Sequence, residues 1–472
     1  MEKIALVVLA AGLGKRMNSA LPKALVPTIE KPLIEHVLES AIALKPERSI
    51  IVTGHSAKEV EACVKGEAPR LGLTNQQLHF AYQEKQLGTG DAVKAALPAL
   101  EGFKGTVLIL CADMPLVQSK TLSQLLAIHD KAKATLSLIT LVTSDAGSYG
   151  RIVRDSKTKA IQKIVEAKDC SVDELSINEI NAAIYAVDSS FLAPAIKEIK
   201  NDNAQKEFYL TDIVERASKE GQTITALVTS DALEIQGVNT PIDLAKINAT
   251  LRLRLVHSLI EKGVIIEDPA SCFVSPTCQV APGAHLGPQV QLLGNTKIGA
   301  GVKIEGNAYL TNTTVLDSAL IRFGVRAENA IIGEGAKVGP FAHLRPGTQL
   351  SSNVHIGNFV ETKNATIQEG AKANHLSYLG DCHIGTNSNI GAGTITCNYD
   401  GYRKSHTEIG NSVFVGSNTS LVAPVTIEDG ATIAAGSVIT KRVEKDSLAI
   451  TRAEQVSKSG WSKRKRDVES KR

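Results

Sequence analysis

The first half of the chain alternates continuous apolar runs with segments whose apolar residues recur every three or four positions. Three runs, Ile4–Ala10, Ser49–Gly54 and Thr106–Asp113, have the length and the flanking turns of strands buried on both faces. Helical spacing begins after Pro32 and returns in "TLSQLLAIHDKA". This order predicts an open, mainly parallel α/β sheet over about residues 1–239.

The second half of the chain changes to a hydrophobic period of six. Six is a multiple of the strand period of two and fits no helical face. Repeats of this kind, with glycine at the corners, are typical of a parallel β-helix in which aliphatic side chains stack inward. An ordinary β-sandwich would not keep this spacing. The repeated aliphatic positions are Val274, Val280, Leu286, Leu292, Ile298, Ile304, Leu310, Leu316, Ile332, Val338, Leu344, Leu350, Ile356, Ile409, Val415, Leu421, Ile427, Ile433 and Ile439.

A long helix over about residues 241–262 is predicted between the two halves. Its apolar positions recur at three and four residues, which is the spacing of one helical face. They are Leu244, Ile247, Leu251, Leu255 and Leu259. The predicted division is therefore an α/β domain over 1–239, a linker helix over 240–262, a β-helix domain over 263–452 and a charged tail over 453–472.

The six-residue period breaks at 317–331, 357–384 and 396–408, and we expect loops there, since insertions in a solenoid become loops and loops often carry sites. His375 lies in the second break and is a candidate general base, because an unperturbed histidine titrates near neutral pH. A packed or surface histidine is the alternative. Arg345 and Lys363 are candidate phosphate ligands, although each charge by itself also fits a solvated surface.

The stretch "LAAGLGKRMNSALPKAL", residues 9–25, predicts a binding site for a polyphosphate. It matches neither the dinucleotide fingerprint nor the P-loop pattern. A loop of about twenty residues inside a compact α/β domain is usually functional, and its glycines allow backbone N–H groups to approach an anion. It carries three cations, Lys15, Arg16 and Lys23. A basic surface loop is the alternative.

Two further features suit a nucleotide site. Asp113 ends an apolar strand, where open α/β sheets bind ligands, and a carboxylate beside polyphosphate is a natural ligand of Mg²⁺. A helix N-cap or turn residue is the alternative for Asp113. The segment "QLGTGDA", residues 86–92, adds a glycine turn with Thr89 that suits contact with a base or sugar, or is a plain turn.

The composition gives no indication of a nucleic-acid or membrane partner. Among 472 residues the formal net charge is only +3, and no apolar run approaches the roughly 18–20 residues that a membrane span requires. Seven cysteines without paired CxxC spacing indicate reduced thiols in a cytoplasmic protein and disfavour a zinc site. The basic "KRKR" of the tail is either a nucleic-acid or targeting patch or, as we expect, part of a solvated, mobile segment.

The motifs "LAAGLGKRM…PKAL", "QLGTG", "YGRI", "IVEAKD" and "GVN" resemble those of sugar-nucleotide pyrophosphorylases. The repeat half adds "NFVETK", "GAGTITCNYDG", "VGSNTSLVAPV" and "TIAAGSVIT". In this order, and over almost the whole chain, both sets resemble the bifunctional N-acetylglucosamine-1-phosphate uridyltransferase and glucosamine-1-phosphate N-acetyltransferase family. The resemblance implies a Rossmann-like nucleotidyltransferase domain, a connecting helix and a left-handed parallel β-helix of hexapeptide repeats.

The resemblance also implies two reactions that make UDP-N-acetylglucosamine, a precursor of peptidoglycan and lipopolysaccharide. The C-terminal domain would acetylate glucosamine 1-phosphate from acetyl-CoA. The N-terminal domain would then transfer the uridylyl group of UTP and release pyrophosphate, with Mg²⁺ as cofactor. Members of the family form cytoplasmic homotrimers through the β-helix, and the acetyl site is shared between subunits.

In the first domain the resemblance implies phosphate binding by Arg16 and Lys23 and Mg²⁺ binding by Asp113 and Asn239. These roles agree with the chemistry, because phosphoryl transfer needs mainly positioning and charge neutralisation. The implied nucleotide and sugar contacts are Leu9, Ala10, Ala11, Gly12, Lys23, Gln83, Gly88, Thr89, Cys111, Ala112, Asp113, Gly150, Glu166, Asn181 and Asn239.

In the second domain the resemblance implies that His375 is the general base that takes a proton as the sugar amine attacks the thioester. The implied contacts of glucosamine 1-phosphate are Arg345, Lys363, Tyr378 and Asn389. The implied contacts of acetyl-CoA are Ala392, Asn398, Tyr399, Ser417, Ala435 and Arg452.

Three departures from the family pattern concern the fit of substrates. Cys111-Ala112-Asp113 stands where the family commonly has Tyr-Gly-Asp, Asn181-Ala182-Ala183 where it has Asn-Thr-Gly, and Asn374 where Gly is usual. Two other functions stay open: an enzyme with one working site, or a non-catalytic sensor or scaffold. A general base argues against the sensor, because a binding module needs none.

Overall fold

The computed structural model describes residues 3–12, 14, 17, 19–29 and 31–470. The chain divides into two compact units, Met1–Leu251 and Arg252–Arg472. The first unit is the predicted α/β fold. Its strands are β1 (Ile4–Leu9), β2 (Pro27–Thr28), β3 (Lys31–Pro32), β4 (Arg48–Thr53), β5 (Leu78–Tyr82), β6 (Thr106–Cys111), β7 (Leu136–Val142), β8 (Arg151–Arg154), β9 (Ile161–Val165), β10 (Glu179–Asp188) and β11 (Ile224–Thr229). Its helices are α1 (Leu33–Ile42), α2 (Ala57–Glu67), α3 (Thr89–Ala96), α4 (Ser119–Ala132), α5 (Val172–Leu175), α6 (Ser189–Glu198), α7 (Asp212–Lys219) and the start of α8 (Pro241–Glu261).

The main sheet of this unit has the order β11-β7-β10-β6-β1-β4-β5, and β8 and β9 extend it beside β10. Its strands run parallel except β10, which is antiparallel to both β6 and β7. The three predicted apolar runs are the adjacent strands β4, β1 and β6, and they are buried because apolar layers cover both faces of the sheet. Leu9 pairs with Cys111 at the carboxyl ends of β1 and β6. That edge of the sheet carries the first candidate site.

The segment between β1 and α1 is the predicted extended loop. Its described residues hold a 3₁₀ turn, Lys23–Leu25, and the short β2–β3 hairpin. The first α-helix begins at Leu33, as its hydrophobic spacing predicted, with Pro32 as the preceding N-cap residue. Lys15 and Arg16 lie outside the described residues.

The second unit is a parallel β-helix, and its coils are consistent with the left-handed form expected for hexapeptide repeats. Its strands are β12 (Ile265–Ile266), β13 (Phe273–Val274), β14 (Gln279–Val280), β15 (His285–Leu286), β16 (Gln291–Leu293), β17 (Lys297–Ile298), β18 (Lys303–Ile304), β19 (Tyr309–Thr311), β20 (Thr314–Val315), β21 (Leu320–Ile321), β22 (Arg326–Glu328), β23 (Ile331–Ile332), β24 (Lys337–Val338), β25 (His343–Leu344), β26 (Gln349–Leu350), β27 (His355–Asn358), β28 (Glu361–Ile367), β29 (Lys372–His375), β30 (Tyr378–Ile384), β31 (Asn389–Ile390), β32 (Ile395–Cys397), β33 (Thr407–Ile409), β34 (Phe414–Val415), β35 (Ser420–Val422), β36 (Val425–Ile427), β37 (Thr432–Ile433), β38 (Val438–Ile439) and β39 (Leu448–Ala449).

The first two predicted loops are absent from these described ranges, so that expectation was wrong. The early coils have 18 residues, as the pairing of Leu292 with Leu310 shows. In both breaks the coils shorten to 17 residues, as when Ile298 pairs with Val315, and the strands continue. A coil that loses one residue tightens a corner, whereas only an insertion needs a loop. His375 therefore ends strand β29 and does not lie in a loop.

The third break is a true excursion. Cys382 pairs with Thr407, a step of 25 residues, and the extra residues form a loop closed by a bridge between Tyr399 and Lys404. Inward aliphatic residues and small residues fill one continuous core along the coils, as the period of six predicted. One predicted inward position was wrong: Leu316 is exposed and its neighbour Val315 is buried, because the coil that loses one residue shifts the inward position by one.

Helix α8 and the tail complete the chain. In α8, Ile247 packs in a core cluster of the first unit, and Val256 and Leu259 pack in the core of the second. The tail, expected to be solvated and mobile, contains helix α9 (Trp461–Glu469), whose residues are all exposed. The sequence pattern did not predict this helix. Within the described residues, no helix has the length and apolar character needed to cross a membrane.

Candidate active sites

The first site is a cavity of about 260 Å³ at the carboxyl ends of β1 and β6. Turns and helix starts that follow β1, β5 and β6 supply its walls, which is the usual ligand position of an open α/β sheet. Most of the predicted nucleotide contacts line it. They are Leu9, Ala10, Ala11, Gly12, Lys23, Gln83, Gly88, Thr89, Cys111, Ala112 and Asp113. Ala24, Gln86, Ala92 and Glu207 also line it, and the sequence reasoning missed them.

An ammonium group stands between the two predicted metal ligands. Lys23 Nζ forms an ion pair with the Asp113 carboxylate and donates a hydrogen bond of 2.9 Å to Asn239 Oδ1. The Lys23 and Asp113 side chains are only 15% and 23% exposed, so solvent screens this pair weakly. Asp113, just after β6, and Asn239, just before α8, thus both contact the ammonium group that the 3₁₀ turn supplies.

A second cavity of about 590 Å³ adjoins the first, and both are lined by Cys111 and Asp113. Tyr149, Ala183 and Asn239 also line the second cavity. The two predicted metal ligands therefore lie where a nucleotide in one cavity and a second substrate in the other would meet. Burial raises the pKa of the Cys111 thiol to about 12, so this residue stays a neutral thiol at physiological pH.

The predicted sugar contacts Gly150, Glu166 and Asn181 lie together, outside the linings described for the two cavities. Asn181 N–H donates to Gly150 O at 2.9 Å, and a Cβ on Gly150 would lie 3.5 Å from Glu166 Oε2. Burial raises the pKa of Glu166, against a hydrogen bond of 3.2 Å from the Thr211 hydroxyl. The Asn181 amide donates to the Tyr185 hydroxyl at 2.6 Å, so its Nδ2 already serves a structural contact.

Ala183 has a left-handed backbone, with φ of +55°, at the position where the family pattern has Gly. A Cβ in this region clashes with the following carbonyl and costs about 1–2 kcal/mol. The conformation is held by a hydrogen bond of 3.1 Å from Ala183 N–H to Asn181 Oδ1 and by a break in the β10–β7 register. Strain of this kind at a cavity wall indicates that the backbone course there is fixed by its surroundings.

The second site lies on the outer surface of the β-helix, around His375. His375 Nδ1 is 2.8 Å from Asn358 Oδ1, one coil earlier, and the two residues are paired in register. An amide oxygen only accepts, so Nδ1 carries a proton, and in the neutral imidazole the lone pair is then on Nε2. His375 is exposed, and this tautomer of its imidazole leaves Nε2 free to accept a proton, as a general base requires.

Three cations, Arg345, Lys363 and Lys404, lie close to one another on the β-helix. Arg345 Nη1 is paired with Glu361 Oε1 at 2.7 Å. A contact with Lys404, with repulsion from Lys404 and Arg345, lowers the pKa of Lys363. A bound anion would relieve the repulsion among these three cations. Lys404 was missed from the sequence, although it lies in the polar third break.

The predicted acetyl-CoA contacts follow one corner of successive coils. Leu376, next to His375, accepts a hydrogen bond from Gly393 N–H. On the following coils Ala392 accepts one from Asn418 N–H, and Ser417 accepts one from Gly436 N–H. Arg452 Nη1 donates to Ala435 O at 2.6 Å. In order along the corner stand His375, Ala392, Ser417, Ala435 and Arg452.

The remaining predicted contacts lie beside this line. Tyr378 begins strand β30 in register with Glu361, and Asn389 begins β31 in register with Lys372. Asn398 Nδ2 donates to the Asp381 carboxylate at the base of the third-break loop. Tyr399 is exposed on that loop.

Comparison with known proteins assigns each half to a family. Residues 5–237 match the nucleotidyl transferase family. Residues 269–344 match the GMPPB C-terminal domain, and residues 329–364 and 406–441 match the bacterial transferase hexapeptide family (six repeats).

Full-length relatives unite the two halves. The bifunctional protein GlmU of Geotalea uraniireducens is 42% identical over 466 residues, 99% of this chain and 100% of that protein. The GlmU proteins of Pelobacter propionicus and Stutzerimonas stutzeri are each 43% identical, over 98% and 97% of this chain and 98% of their own lengths. The chain therefore belongs to the GlmU family of bifunctional N-acetylglucosamine-1-phosphate uridyltransferases and glucosamine-1-phosphate acetyltransferases.

Proposed function

We propose that this chain makes UDP-N-acetylglucosamine from glucosamine 1-phosphate in two steps, one in each unit. The β-helix transfers the acetyl group of acetyl-CoA to the sugar amine. The α/β unit then transfers the uridylyl group of UTP to the sugar phosphate and releases pyrophosphate. The observation that carries this proposal is that each unit has its own reactive group: Lys23, Asp113 and Asn239 in one, and His375 with Asn358 in the other.

In the α/β unit, the proposed work is to align two phosphates and neutralise their charge. A sugar-phosphate oxygen attacks the α-phosphorus of UTP as the bond to pyrophosphate breaks. Lys23 is the described cation of the nucleotide loop that reaches this point, and Arg16 is proposed to join it. Such positioning and electrostatic stabilisation account for most of phosphoryl-transfer catalysis.

Asp113 and Asn239 are the proposed Mg²⁺ ligands. Their oxygens already converge on one cation, the Lys23 ammonium, and hard carboxylate and amide oxygens are the donors that Mg²⁺ prefers. One carboxylate with substrate phosphates is a common Mg²⁺ set, so the residues present fit the ion. When bound, Mg²⁺ neutralises phosphate charge that develops in transfer. Asp113→Asn should weaken uridyl transfer and leave acetyl transfer unchanged. An unchanged rate of uridyl transfer would refute the metal role.

In the β-helix, His375 is the proposed general base. Its Nε2 takes a proton from the neutral sugar amine as nitrogen attacks the thioester carbonyl carbon. The C–S bond of acetyl-CoA then breaks, and CoA leaves as the thiol after taking that proton back. Arg345 and Lys363 are proposed to bind the sugar phosphate, and the crowded charge of Lys404 supports its joining them. Tyr378 and Asn389 are proposed sugar contacts. The proposed contacts of acetyl-CoA are Ala392, Asn398, Tyr399, Ser417, Ala435 and Arg452.

The active form is proposed to be a cytoplasmic homotrimer built through the β-helix. An exposed apolar line supports assembly. Phe323 packs edge to face on Phe341, Phe341 stacks on Phe359, and Leu376 is exposed one coil further on. Exposed apolar patches of this kind commonly mark protein interfaces. The division into domains over 1–239 and 263–452 stays a prediction, as does supply of product to peptidoglycan and lipopolysaccharide synthesis.

The proposal is tested by incubating the full chain with UTP, acetyl-CoA, glucosamine 1-phosphate and Mg²⁺ while each product is followed separately. N-acetylglucosamine 1-phosphate should appear first and UDP-N-acetylglucosamine second, with pyrophosphate. Acetylation without nucleotide transfer, or nucleotide transfer to added N-acetylglucosamine 1-phosphate without acetylation, would mean that only one site works. Absence of both reactions in the folded protein would favour the alternative function of a non-catalytic sensor or scaffold.

A further inference from the structure

Gln83 forms part of the wall of the first cavity, just after strand β5, and its side chain is held by two acceptors. Gln83 is only 4% exposed. Its Nε2 donates to Gly88 O at 3.2 Å and to Asp91 Oδ2 at 2.8 Å. Gly88 is the N-cap of α3, and Asp91 lies in the first turn of that helix. The N-cap residue and the first turn of α3 therefore both accept hydrogen bonds from the Gln83 amide.

The two partners leave only one orientation for this amide. A backbone carbonyl and a carboxylate accept hydrogen bonds and donate none. Rotating the Gln83 amide by half a turn would place Oε1 against both acceptors and leave a buried NH₂ without partners, which is strongly unfavourable. The Nε2 end therefore faces Gly88 and Asp91, and Oε1 is presented as an acceptor. The carboxylate contributes the stronger bond, because it is charged.

We propose that Asp91 is a positioning residue that sets the base specificity of the nucleotide site. By fixing the Gln83 amide, Asp91 presents an acceptor to the base edge. A pyrimidine with an N–H donor at N3, such as uracil, satisfies this acceptor. Cytosine has an acceptor at N3 and would face Oε1 with two lone pairs opposed. This inference rests on the proposed contact between Gln83 and the nucleotide.

Buried polar groups that require a specific donor discriminate strongly. A site built to hydrogen-bond a substrate group rejects an analogue lacking it by about 10⁴–10⁵-fold. Gly88 O would continue to hold Nε2 if Asp91 were changed, so loss of Asp91 should relax the selectivity in part. We expect the ratio of kcat/KM for UTP over CTP to fall by about tenfold.

The test compares UTP and CTP as nucleotide substrates for the wild type, Asp91→Asn and Asp91→Ala, with N-acetylglucosamine 1-phosphate and Mg²⁺. Asn at position 91 can pair with either end of the Gln83 amide, so Asp91→Asn keeps the shape of the turn while removing the fixed orientation. Both variants should lose UTP selectivity. Glu59→Gln is the matched control, because Glu59 is an exposed carboxylate in the first turn of α2.

A merely structural defect would lower both rates alike and leave the UTP/CTP ratio unchanged, which separates positioning from stability. Calorimetric affinities for UTP and CTP should shift in the same direction as the kinetic ratio. An unaltered ratio in both folded variants overturns the role of Asp91 while uridyl transfer by the wild type stands. A wild type that does not use UTP overturns the proposed function itself. A wild type that uses UTP and CTP equally overturns only the specificity inference.

Discussion

The two candidate sites bring their side chains together in opposite ways. In the α/β unit, Asp113 and Asn239 lie 90 and 216 residues along the chain from Lys23, and the three side chains meet where the two cavities adjoin. In the β-helix, His375 and Asn358 are one coil apart and meet on an exposed corner. The first arrangement requires the whole fold of its unit, and the second requires only the coil repeat.

The difference affects the strength of each interaction. An ion pair shielded from water is several times stronger than the same pair in solvent. Breaking the Lys23–Asp113 pair therefore disturbs both folding and reaction, whereas Arg345 and Glu361 lie in a more exposed pair worth little to stability. We expect substitutions in the α/β site to change stability and rate together, and those in the β-helix site to change rate alone.

The largest expected effect is on acetyl transfer, when the proposed base His375 is removed. His375→Ala should lower kcat for acetyl transfer by about 10²–10⁴-fold, because proton removal from the amine loses its acceptor. The melting temperature and uridyl transfer should stay near wild type. Product-specific assays and thermal denaturation measure this. Loss of both reactions in a folded variant would contradict the assignment of one reaction to each unit.

Lys23→Met tests the shielded pair. Uridyl transfer should fall by about 100-fold, since a preorganised cation is lost. The free energy of unfolding should fall by about 2 kcal/mol, because the Asp113 carboxylate stays part-buried without its partner. Urea denaturation measures the second effect, and Arg345→Met is the control, with no measurable shift in the midpoint expected. Equal shifts in the two variants would remove the contrast between the sites.

Asn358→Ala removes the group that sets the His375 tautomer. We expect kcat for acetyl transfer to fall about tenfold with little change in KM for glucosamine 1-phosphate, because the base is present but misoriented. Asn358→Asp keeps an acceptor for the Nδ1 proton and should retain more of the activity. A kcat unchanged by Asn358→Ala would show that the coil backbone alone orients the histidine.

Asp212→Asn tests a second, half-buried carboxyl group in the α/β unit. Burial, with repulsion from Glu215, Glu166 and Asp169, raises the Asp212 pKa to about 6. The unfolded value is about 3.9, so this residue favours folding fully below pH 4, and the contribution is lost as pH rises through 6. Asp212→Asn should gain about 1 kcal/mol at pH 7.5, after allowance for solvent screening. Thermal denaturation at pH 4 should show no gain; a gain at both pH values would rule out titration as the cause.

The smallest expected effect concerns backbone strain beside the second cavity. Ala183→Gly should stabilise the protein by about 0.5 kcal/mol, because relief of the left-handed strain exceeds the added entropy of the unfolded chain. Ala182→Gly is the matched control and should destabilise, since Ala182 is buried and lacks a left-handed backbone. Denaturant midpoints measure both. Destabilisation by Ala183→Gly as well would mean that the methyl group packs usefully.

Much of both sites followed from local patterns. The residues from Leu9 to Asp113 that the motifs predicted as nucleotide contacts line one cavity, and their contact with a nucleotide stays a prediction. The coils formed as the six-residue period indicated. Two of the three breaks were interpreted wrongly. The six-residue spacing is interrupted both when a corner loses one residue and when a loop is inserted, so the sequence pattern does not distinguish the two cases. Only strand pairing separates the cases, as at Ile298 and Val315.

The sequence by itself determined the two folds, since hydrophobic periodicity depends on neighbours along the chain, and its motifs predicted the candidate reactive residues. The tertiary structure decided which groups touch. It placed Lys23 between Asp113 and Asn239, paired Asn358 with His375, and directed the Gln83 amide through Asp91. These contacts join distant segments, and their consequences depend on burial and on the opposing donor or acceptor. No local pattern contains that information, because folding alone brings the partners together and excludes water.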